Sequence, residues 1–351
     1  MILSEWKTDN MTFLQIENLT TKFSDKVILD ALTLNIAAGS LVSVLGPSGC
    51  GKSTLLRSIA GFIPPVNGTI RIAGKLMSVS SVLVPPEKRN IGYVPQEGAL
   101  FPHLNVEKNI AFGLPRNSEN KSRIEEILKV VDLVGFEKRM PSELSGGQQF
   151  RVAIARALAP KPSLVLLDEP FASLDAELRE DLRVEVKHIL HQTKATAILV
   201  THDREEALVM SDYVAAMKNG KIIQFGTPHE VYNSPVQADV ALSTGDSIII
   251  PGVKDKDGKI YTLFDQSFPK DGIHGEVVIR PEEITIVKDS VNFNARVKDI
   301  EYFGHDALVY LEMKNSNVSE ICARVTAPIE FKVGEEVMAK NIAQLRWFQK
   351  S

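Results

Sequence analysis

Two cysteines in 351 residues are too few for a disulfide framework, and Cys50 and Cys322 stand far apart in the chain. That scarcity favours a reducing compartment, and the protein reads as cytosolic. Charge of one sign is lacking too: 40 Lys and Arg face 44 Asp and Glu, a formal net charge of −4. The balance leaves no electrostatic footprint for wrapping nucleic acid or coating an anionic bilayer, so nucleic acid is not an expected partner. Long apolar runs are also missing. The longest uncharged stretch, Ala31 to Gly51, is broken by Gly39, Gly46, Pro47 and Gly49 and does not read as a membrane span. Any contact with a membrane is therefore expected to run through a partner. Met1–Asn10 has neither a basic stretch nor an apolar core, so residues 1–10 read as a flexible extension rather than a secretory signal.

What is present divides in two, as the length leads one to expect. From Phe13 to about Val240, strand-like runs alternate with helical stretches, the pattern of a parallel sheet with helices on its faces. The runs Leu41–Gly46, Ser163–Asp168 and Thr196–His202 are short and nearly all apolar, as strands buried on both faces are. Helices are expected at Lys52–Ala60, Glu119–Val131, Gly147–Ala159, Ala176–Gln192 and Arg204–Met210. After Tyr232-Asn233-Ser234-Pro235 the helical periodicity disappears. Val291–Val297 and Ile321–Val325 alternate apolar with polar residues, as half-buried antiparallel strands do. The expected organisation is a first domain at 11–240, with a helical subdomain at about 97–160, and a small all-β, OB-like barrel at 245–351.

Gly46, Pro47, Ser48, Gly49, Cys50, Gly51, Lys52, Ser53 and Thr54 follow an apolar strand and open a helix, the context in which a P-loop pattern carries physical meaning. Glycines let backbone N–H groups turn inward around phosphate oxygens, and the helix start adds its positive dipole end. Lys52 can reach the β- and γ-phosphates and Ser53 can place a hydroxyl on Mg²⁺. Cys50 is either a small filler in this loop or a reactive thiol, its pKa lowered by the positive surroundings, whose modification would block the site.

Leu164-Val165-Leu166-Leu167 ends in two adjacent carboxylates, Asp168 and Glu169. Asp168 is expected to hold Mg²⁺, through water, and Glu169 to polarise an attacking water as general base. His202 ends the later strand Ile198–Thr201, and parallel geometry would bring it to the same sheet edge. A lone histidine is usually structural; here it can touch the γ-phosphate and hold Glu169 and the water in line. Gln96, after Ile91–Val94, offers an uncharged amide to Mg²⁺ or to the water, or is simply exposed.

Leu144-Ser145-Gly146-Gly147-Gln148 resembles the signature motif of the ATP-binding-cassette (ABC) ATPases and precedes the Asp168 strand at that family's spacing. Ser145 with the backbone of Gly146 and Gly147 at a helix start makes a second anion site. The resemblance implies an α/β P-loop cassette in which that segment, with Gln148, completes the site of an opposite protomer, so that two ATP molecules are sandwiched in a head-to-tail homodimer. It further implies that Phe23 stacks on adenine, that Gln96 is the Q-loop glutamine, that Ser173-Leu174-Asp175 is the D-loop at the dimer interface, and that His202 is the switch histidine. Gln96 to Leu104 looks like the surface that accepts the coupling helix of a membrane permease, although Leu100 and Leu104 taken singly read equally as a buried loop.

Ile279-Arg280-Pro281-Glu282 and Glu301-Tyr302-Phe303-Gly304 resemble the C-terminal β-domain of the importer subfamily that handles maltose, sulfate, polyamines and ferric ion. In that subfamily the domain is regulatory or dimer-stabilising. Within it, Gln96 to Leu114, Leu158-Ala159-Pro160 and His202 to Ala207 look most like the ferric-ion ATPases. The implied setting is the cytoplasmic face of the inner (plasma) membrane, with permease subunits and, indirectly, a periplasmic or surface solute-binding protein. The alternatives are an importer ATPase for sulfate, a polyamine or a sugar, and a soluble cassette protein without a permease. A single uninterrupted cassette followed by a β-domain argues against the soluble classes. A nucleotide sensor without turnover would be expected to lack Glu169 or His202. His274 and His305 have no partner at ligand spacing and read as surface histidines.

Overall fold

The computed structural model describes residues 12–349 apart from 97, 116–119, 173, 266–268, 270, 290 and 315–319. The extension expected at 1–10, and Ser173, lie outside the described residues. The chain forms two compact units, Met1–Val231 and Tyr232–Ser351. No described helix is long and apolar enough to cross a membrane.

In the first unit, the described residues form a six-stranded sheet in the order Lys221–Gly226, Tyr213–Lys218, Leu41–Leu45, Thr196–Thr201, Leu164–Asp168, Ile91–Val94. Its strands run parallel except at the Lys221–Gly226 edge. Leu41–Leu45, Leu164–Asp168 and Thr196–Thr201 are buried along their whole length. Their side chains alternate between two cores. Val42, Val44, Leu164, Leu166, Ile198 and Val200 share a cluster with Leu55, Leu56 and Ile59 of the helix Lys52–Ala60. Leu41, Val165, Leu167, Ala197 and Leu199 join Ile154, Leu158, Leu182 and Val186 of the helices Gly146–Leu158 and Ala176–Gln192. Both faces being apolar, a period of two is hidden in continuous apolar runs. The parallel register, with Leu45 opposite Thr201 and Asp168 opposite Val200, brings the carboxyl ends of these strands to one edge, the side on which open α/β sheets bind ligands.

The expectation of a parallel sheet from Phe13 onward needs correction for the first strands. A separate five-stranded sheet, in the order Lys26–Ala37, Thr12–Phe23, Asn67–Ile72, Lys75–Val79, Val82–Leu83, is antiparallel throughout. Phe23 pairs with Lys26 across a turn with Ser24 at φ 50°, and so short a connection cannot make a parallel crossover. Helices occur at Lys52–Ala60, Ala176–Gln192 and Arg204–Met210 as the periodicity predicts. Gly146–Leu158 starts one residue earlier than expected because Ser145 caps it. A short helix, Val106–Ala111, capped by Asn105, was not legible.

The second unit holds, among its described residues, two antiparallel sheets. One orders Ile260–Tyr261, Ile248–Lys254, Ile273–Ile279 and Arg346–Gln349; the other Ile284–Lys288, Glu336–Asn341, Ala295–Tyr302, Asp306–Met313 and Ile321–Thr326. Residues of both, among them Ile250, Val277, Val309, Leu311 and Val337, form one apolar cluster. Two expectations shift. The predicted strand Val291–Val297 is Ala295–Tyr302 instead, because the Asp289 carboxylate accepts from the N–H of Val291 and Asn292 at 2.9 and 2.8 Å and turns the chain before the ladder starts. Ala238–Thr244 is helical where helical periodicity was expected to have ended. Arg280 is fully buried and pins that helix, donating to Ala241 O at 2.8 Å and Thr244 Oγ1 at 3.0 Å. The same guanidinium lies over the Tyr232 ring, 4.0 Å from its centroid.

Candidate nucleotide site

The loop after Leu41–Leu45 is shaped by glycines at two kinds of place. Gly49 and Gly51 have φ 78° and 110°, where any other L-residue is strained. At Gly46 the reason is space, since a Cβ would lie 2.2 Å from the Met217 carbonyl oxygen. Lys52 is buried, and its ammonium donates to the carbonyls of Gly46 at 2.7 Å and Pro47 at 3.1 Å. Its charge is thus held within the loop, beside the start of the helix Lys52–Ala60, where the first N–H groups of a helix lack helical partners. Cys50 is buried, and burial pushes its thiol pKa up, with Lys52 only partly opposing it. The expectation that the loop lowers this pKa is corrected: desolvation outweighs the nearby charge.

Asp168 is 6% exposed, and its two oxygens have different partners. Ser53 Oγ donates to Oδ1 at 2.9 Å and Tyr93 OH donates to Oδ2 at 2.8 Å. Burial and the Asp168 contact push the Tyr93 phenol up to about 12, so it is a donor at any physiological pH. A hydroxyl and a carboxylate oxygen this close are hard donors, and Mg²⁺ suits a site with one or two carboxylates and the rest supplied by phosphate and water. Among the described residues no group of three His, Cys, Asp or Glu gathers into an all-protein metal site.

Glu169 follows with φ 46°, a left-handed conformation rare outside glycine. Its N–H donates to Val200 O at 2.9 Å, which fixes the turn, and its Oε2 lies 3.0 Å from His202 Nδ1. The parallel register therefore does bring His202 to the acid strand. The turn after His202 is held by a network that the sequence did not reveal. Arg183 is buried and donates to Asp203 Oδ2 at 2.7 Å and to Glu205 Oε2 at 3.2 Å. Asp203 in turn caps Arg204–Met210, and Thr201 Oγ1 donates to Glu206 Oε2 at 2.6 Å. A small cavity lined by Glu169, Arg179, Thr201, His202 and Glu206 lies beside this pair; burial raises the Glu206 pKa there.

Other expected site residues sit on separate supports. Ser145 Oγ accepts from Gln148 N at 3.3 Å while Gln148 Oε1 accepts from Ser145 N at 3.1 Å, a capping box at the start of Gly146–Leu158. A Cβ on Gly147 would meet Leu178 at 3.0 Å, so this helix start packs closely on Ala176–Gln192. Asp175 caps that second helix, accepting from Leu178 N at 2.9 Å. Phe23 is 52% exposed at the end of its strand, and Gln96 is exposed just past Ile91–Val94. Beyond Gln96, Arg156 donates to the carbonyls of Gly98 and Ala99 at 2.8 Å each. The buried Asn109 amide donates to Phe101 O and Leu104 O. Leu100 packs against the core, whereas Phe112, ring to ring with Phe101 at 4.2 Å, is 63% exposed.

Sequence reasoning missed Tyr93, Arg89 and Arg183. Tyr93 meets Asp168 from 75 positions away, and no spacing rule links them. Arg89 is buried and donates to the carbonyls of Ser58 and Ile59, the last turn of the helix that starts at Lys52.

The ABC transporter family matches residues 29–172, and the TOBE domain matches residues 277–340. An Fe(3+) ions import ATP-binding protein of Rhodococcus jostii is 40% identical over 95% of this chain and 99% of its own length. A spermidine/putrescine import ATP-binding protein of Acetivibrio thermocellus is 46% identical over 80% of this chain and 81% of its own. A solved ATP-binding cassette, dimeric in a post-hydrolysis state bound to ADP and Pi, is 31% identical and superposes with a TM-score of 0.52, covering 61% of this chain and 98% of that one. Likeness across nearly the whole length, in a fold that ends four parallel strands beside a phosphate loop, amounts to membership: the chain belongs to the ABC transporter ATP-binding proteins, whose ATP hydrolysis is coupled to transport.

Proposed function

We propose that this chain energises an import complex and that the cargo is ferric ion. The observation that carries the catalytic part is the Glu169 Oε2 to His202 Nδ1 distance of 3.0 Å, at the edge where Ser53 meets Asp168. In this reading Lys52 turns from the loop carbonyls to the β- and γ-phosphates, and the backbone from Gly46 to Thr54 cradles them. Ser53, Asp168 and Gln96 would hold Mg²⁺, Asp168 through water, and the ion would supply positive charge against the charge that spreads over the transferring phosphoryl. Glu169 takes the proton of the attacking water, and His202 keeps that carboxylate aimed while reaching the γ-phosphate. Phe23 stacks on adenine.

Ser145, Gly146, Gly147 and Gln148 of a second copy close over the γ-phosphate, with Asp175 at the interface, so the working form is a homodimer. Support comes from the dimeric state of the solved cassette and from the exposed position of the Ser145 cap. Closure on ATP and opening on product release would be read by permease subunits docked on the segment from Gln96 to Leu104, whose backbone Arg156 and Asn109 hold and beside which Phe112 stands exposed. In this reading the dimer works at the cytoplasmic face of the inner (plasma) membrane, with a solute-binding protein as indirect partner.

Ferric ion rests on the likeness to the Fe(3+) import protein of Rhodococcus, which this chain matches almost end to end. A polyamine is the second reading, favoured by the higher identity of the Acetivibrio relative over a shorter span. The test is ATP-driven uptake in vesicles holding this subunit with its permease and binding protein, offered ferric ion, spermidine, sulfate and maltose in turn. Ferric uptake that disappears in Lys52→Ala is the expected result; uptake of spermidine alone would replace the cargo and leave the mechanism standing.

A further inference from the structure

We propose that Tyr93 is a positioning residue for the metal-bearing acid: its phenol holds Asp168 Oδ2, so that Oδ1 stays aimed at Ser53 and the Mg²⁺ position. The proposal rests on the reading of Asp168 as the metal acid.

The geometry follows from register. Tyr93 pairs with Leu166 on the neighbouring parallel strand, two residues short of Asp168. Residues two apart point to the same face, and Tyr93 packs on the cluster that contains Leu164 and Leu166. The helix carrying Ser53 packs on that same cluster through Leu55, Leu56 and Ile59. Ser53, Asp168 and Tyr93 are thus delivered to one face from three elements. Two residues of strand cover roughly 6.6 Å, about the reach of a tyrosine from backbone to hydroxyl, so the phenol arrives at the carboxylate of a residue one pleat ahead. Phenylalanine at this position would fill the same space and donate nothing. The ring is steadied by Phe62, edge-on at a centroid distance of 5.8 Å. Asp168 needs such a partner because it is buried and a carboxylate held at one oxygen is free to swing about its last torsion. Partners that orient a metal ligand typically contribute about 10- to 100-fold in metal affinity or activity.

The test uses the full chain as Tyr93→Phe and as Asp168→Asn. Mn²⁺ replaces Mg²⁺, and its binding is titrated by electron paramagnetic resonance in the presence of a non-hydrolysable ATP analogue. Binding of the same analogue in EDTA is measured alongside. Tyr93→Phe is expected to weaken Mn²⁺ binding about tenfold and to leave analogue binding in EDTA unchanged, a split that a merely structural role would not produce. Unchanged Mn²⁺ affinity in Tyr93→Phe, with a loss in Asp168→Asn, overturns the role of Tyr93 alone. Unchanged affinity in Asp168→Asn overturns the reading of Asp168 beneath it. An equal loss with and without metal assigns Tyr93 to loop packing and also overturns the proposal.

Discussion

Replacing Arg89 by methionine should weaken the first unit from beneath its phosphate loop. Arg89 is 1% exposed and donates five hydrogen bonds: to the carbonyls of Val84 at 2.7 Å, Ser58 at 3.2 Å, Ile59 at 2.7 Å and Met77 at 3.1 Å, and to Ser78 Oγ at 2.6 Å. Ser58 and Ile59 belong to the last turn of Lys52–Ala60, where carbonyls lack helical partners and a cation complements the dipole. Gly61 makes room for the guanidinium; a Cβ there would lie 2.5 Å from Arg89 Nε. Methionine restores much of the volume and none of the donors.

The magnitude can be worked bond by bond. Ser58 O keeps the N–H of Gly61 at 3.2 Å and Met77 O keeps that of Val84 at 2.9 Å. The loss therefore falls on the Ile59 and Val84 carbonyls and on Ser78 Oγ, at about 1–3 kcal/mol each for a buried acceptor stripped of its donor. Against this, a desolvated cation disappears, and burial already pushes the Arg89 pKa down to about 10, so part of the cost returns. A net loss of about 3 kcal/mol is expected, which for a unit of this size lowers the unfolding midpoint by roughly 6–12 °C. The assay is calorimetry of the nucleotide-free full chain, because bound ATP would raise the midpoint by mass action. Arg89→Lys should fall between parent and Arg89→Met, since one ammonium cannot span these acceptors. A shift below about 2 °C in Arg89→Met would mean that the carbonyls find other donors, and the pinning of this helix by Arg89 would be refuted.

Glu169→Gln should slow turnover by about 10²- to 10⁴-fold while keeping ATP binding, because φ 46° and the N–H bond to Val200 are backbone features that glutamine reproduces; single-turnover phosphate release at the parent rate would remove Glu169 as the base. Gly46→Ala puts a methyl 2.2 Å from the Met217 carbonyl oxygen and should abolish binding of a fluorescent ATP analogue, whereas parent affinity would show that the strand end yields. Cys50 should react with iodoacetamide more slowly than free cysteine near neutral pH. Its pKa is raised by burial, so below that pKa less of it is thiolate, and the rate should climb as pH rises. Faster-than-free reactivity would mean that the Lys52 charge dominates after all.

The parts of this site that could be read in the sequence are those written in consecutive residues. Gly46 to Thr54, the Asp168-Glu169 strand end and the Ser145-to-Gln148 capping box each carry their own local chemistry, and the parallel register that joins Glu169 to His202 follows from runs apolar on both faces. Tyr93, Arg89 and Arg183 act on residues far along the chain, and a tyrosine in one strand carries no mark of the carboxylate in the next. Their effects are set by which side chains share a face, and that becomes definite only once the strands are in register. Cys50 shows the same limit in electrostatic form. Sequence reveals the lysine two positions on; it does not reveal that the thiol is buried, and burial decides the sign. Ala238–Thr244 escaped for a different reason, since seven residues are too few for a 3.6-residue period to register. The hairpin after Phe23 is legible in its connection: the short Ser24-Asp25 link forces an antiparallel return. The alternating apolar pattern on either side of it, Leu14 and Ile16 against Leu32 and Leu34, is that of strands sharing one buried face. Thr12–Phe23 and Lys26–Ala37 pair antiparallel because of that turn, as Tyr213–Lys218 and Lys221–Gly226 do across Asn219-Gly220, whereas the parallel neighbours Leu164–Asp168 and Thr196–Thr201 are separated by the helix Ala176–Gln192, so connection length rather than strand composition sets the direction of these pairs.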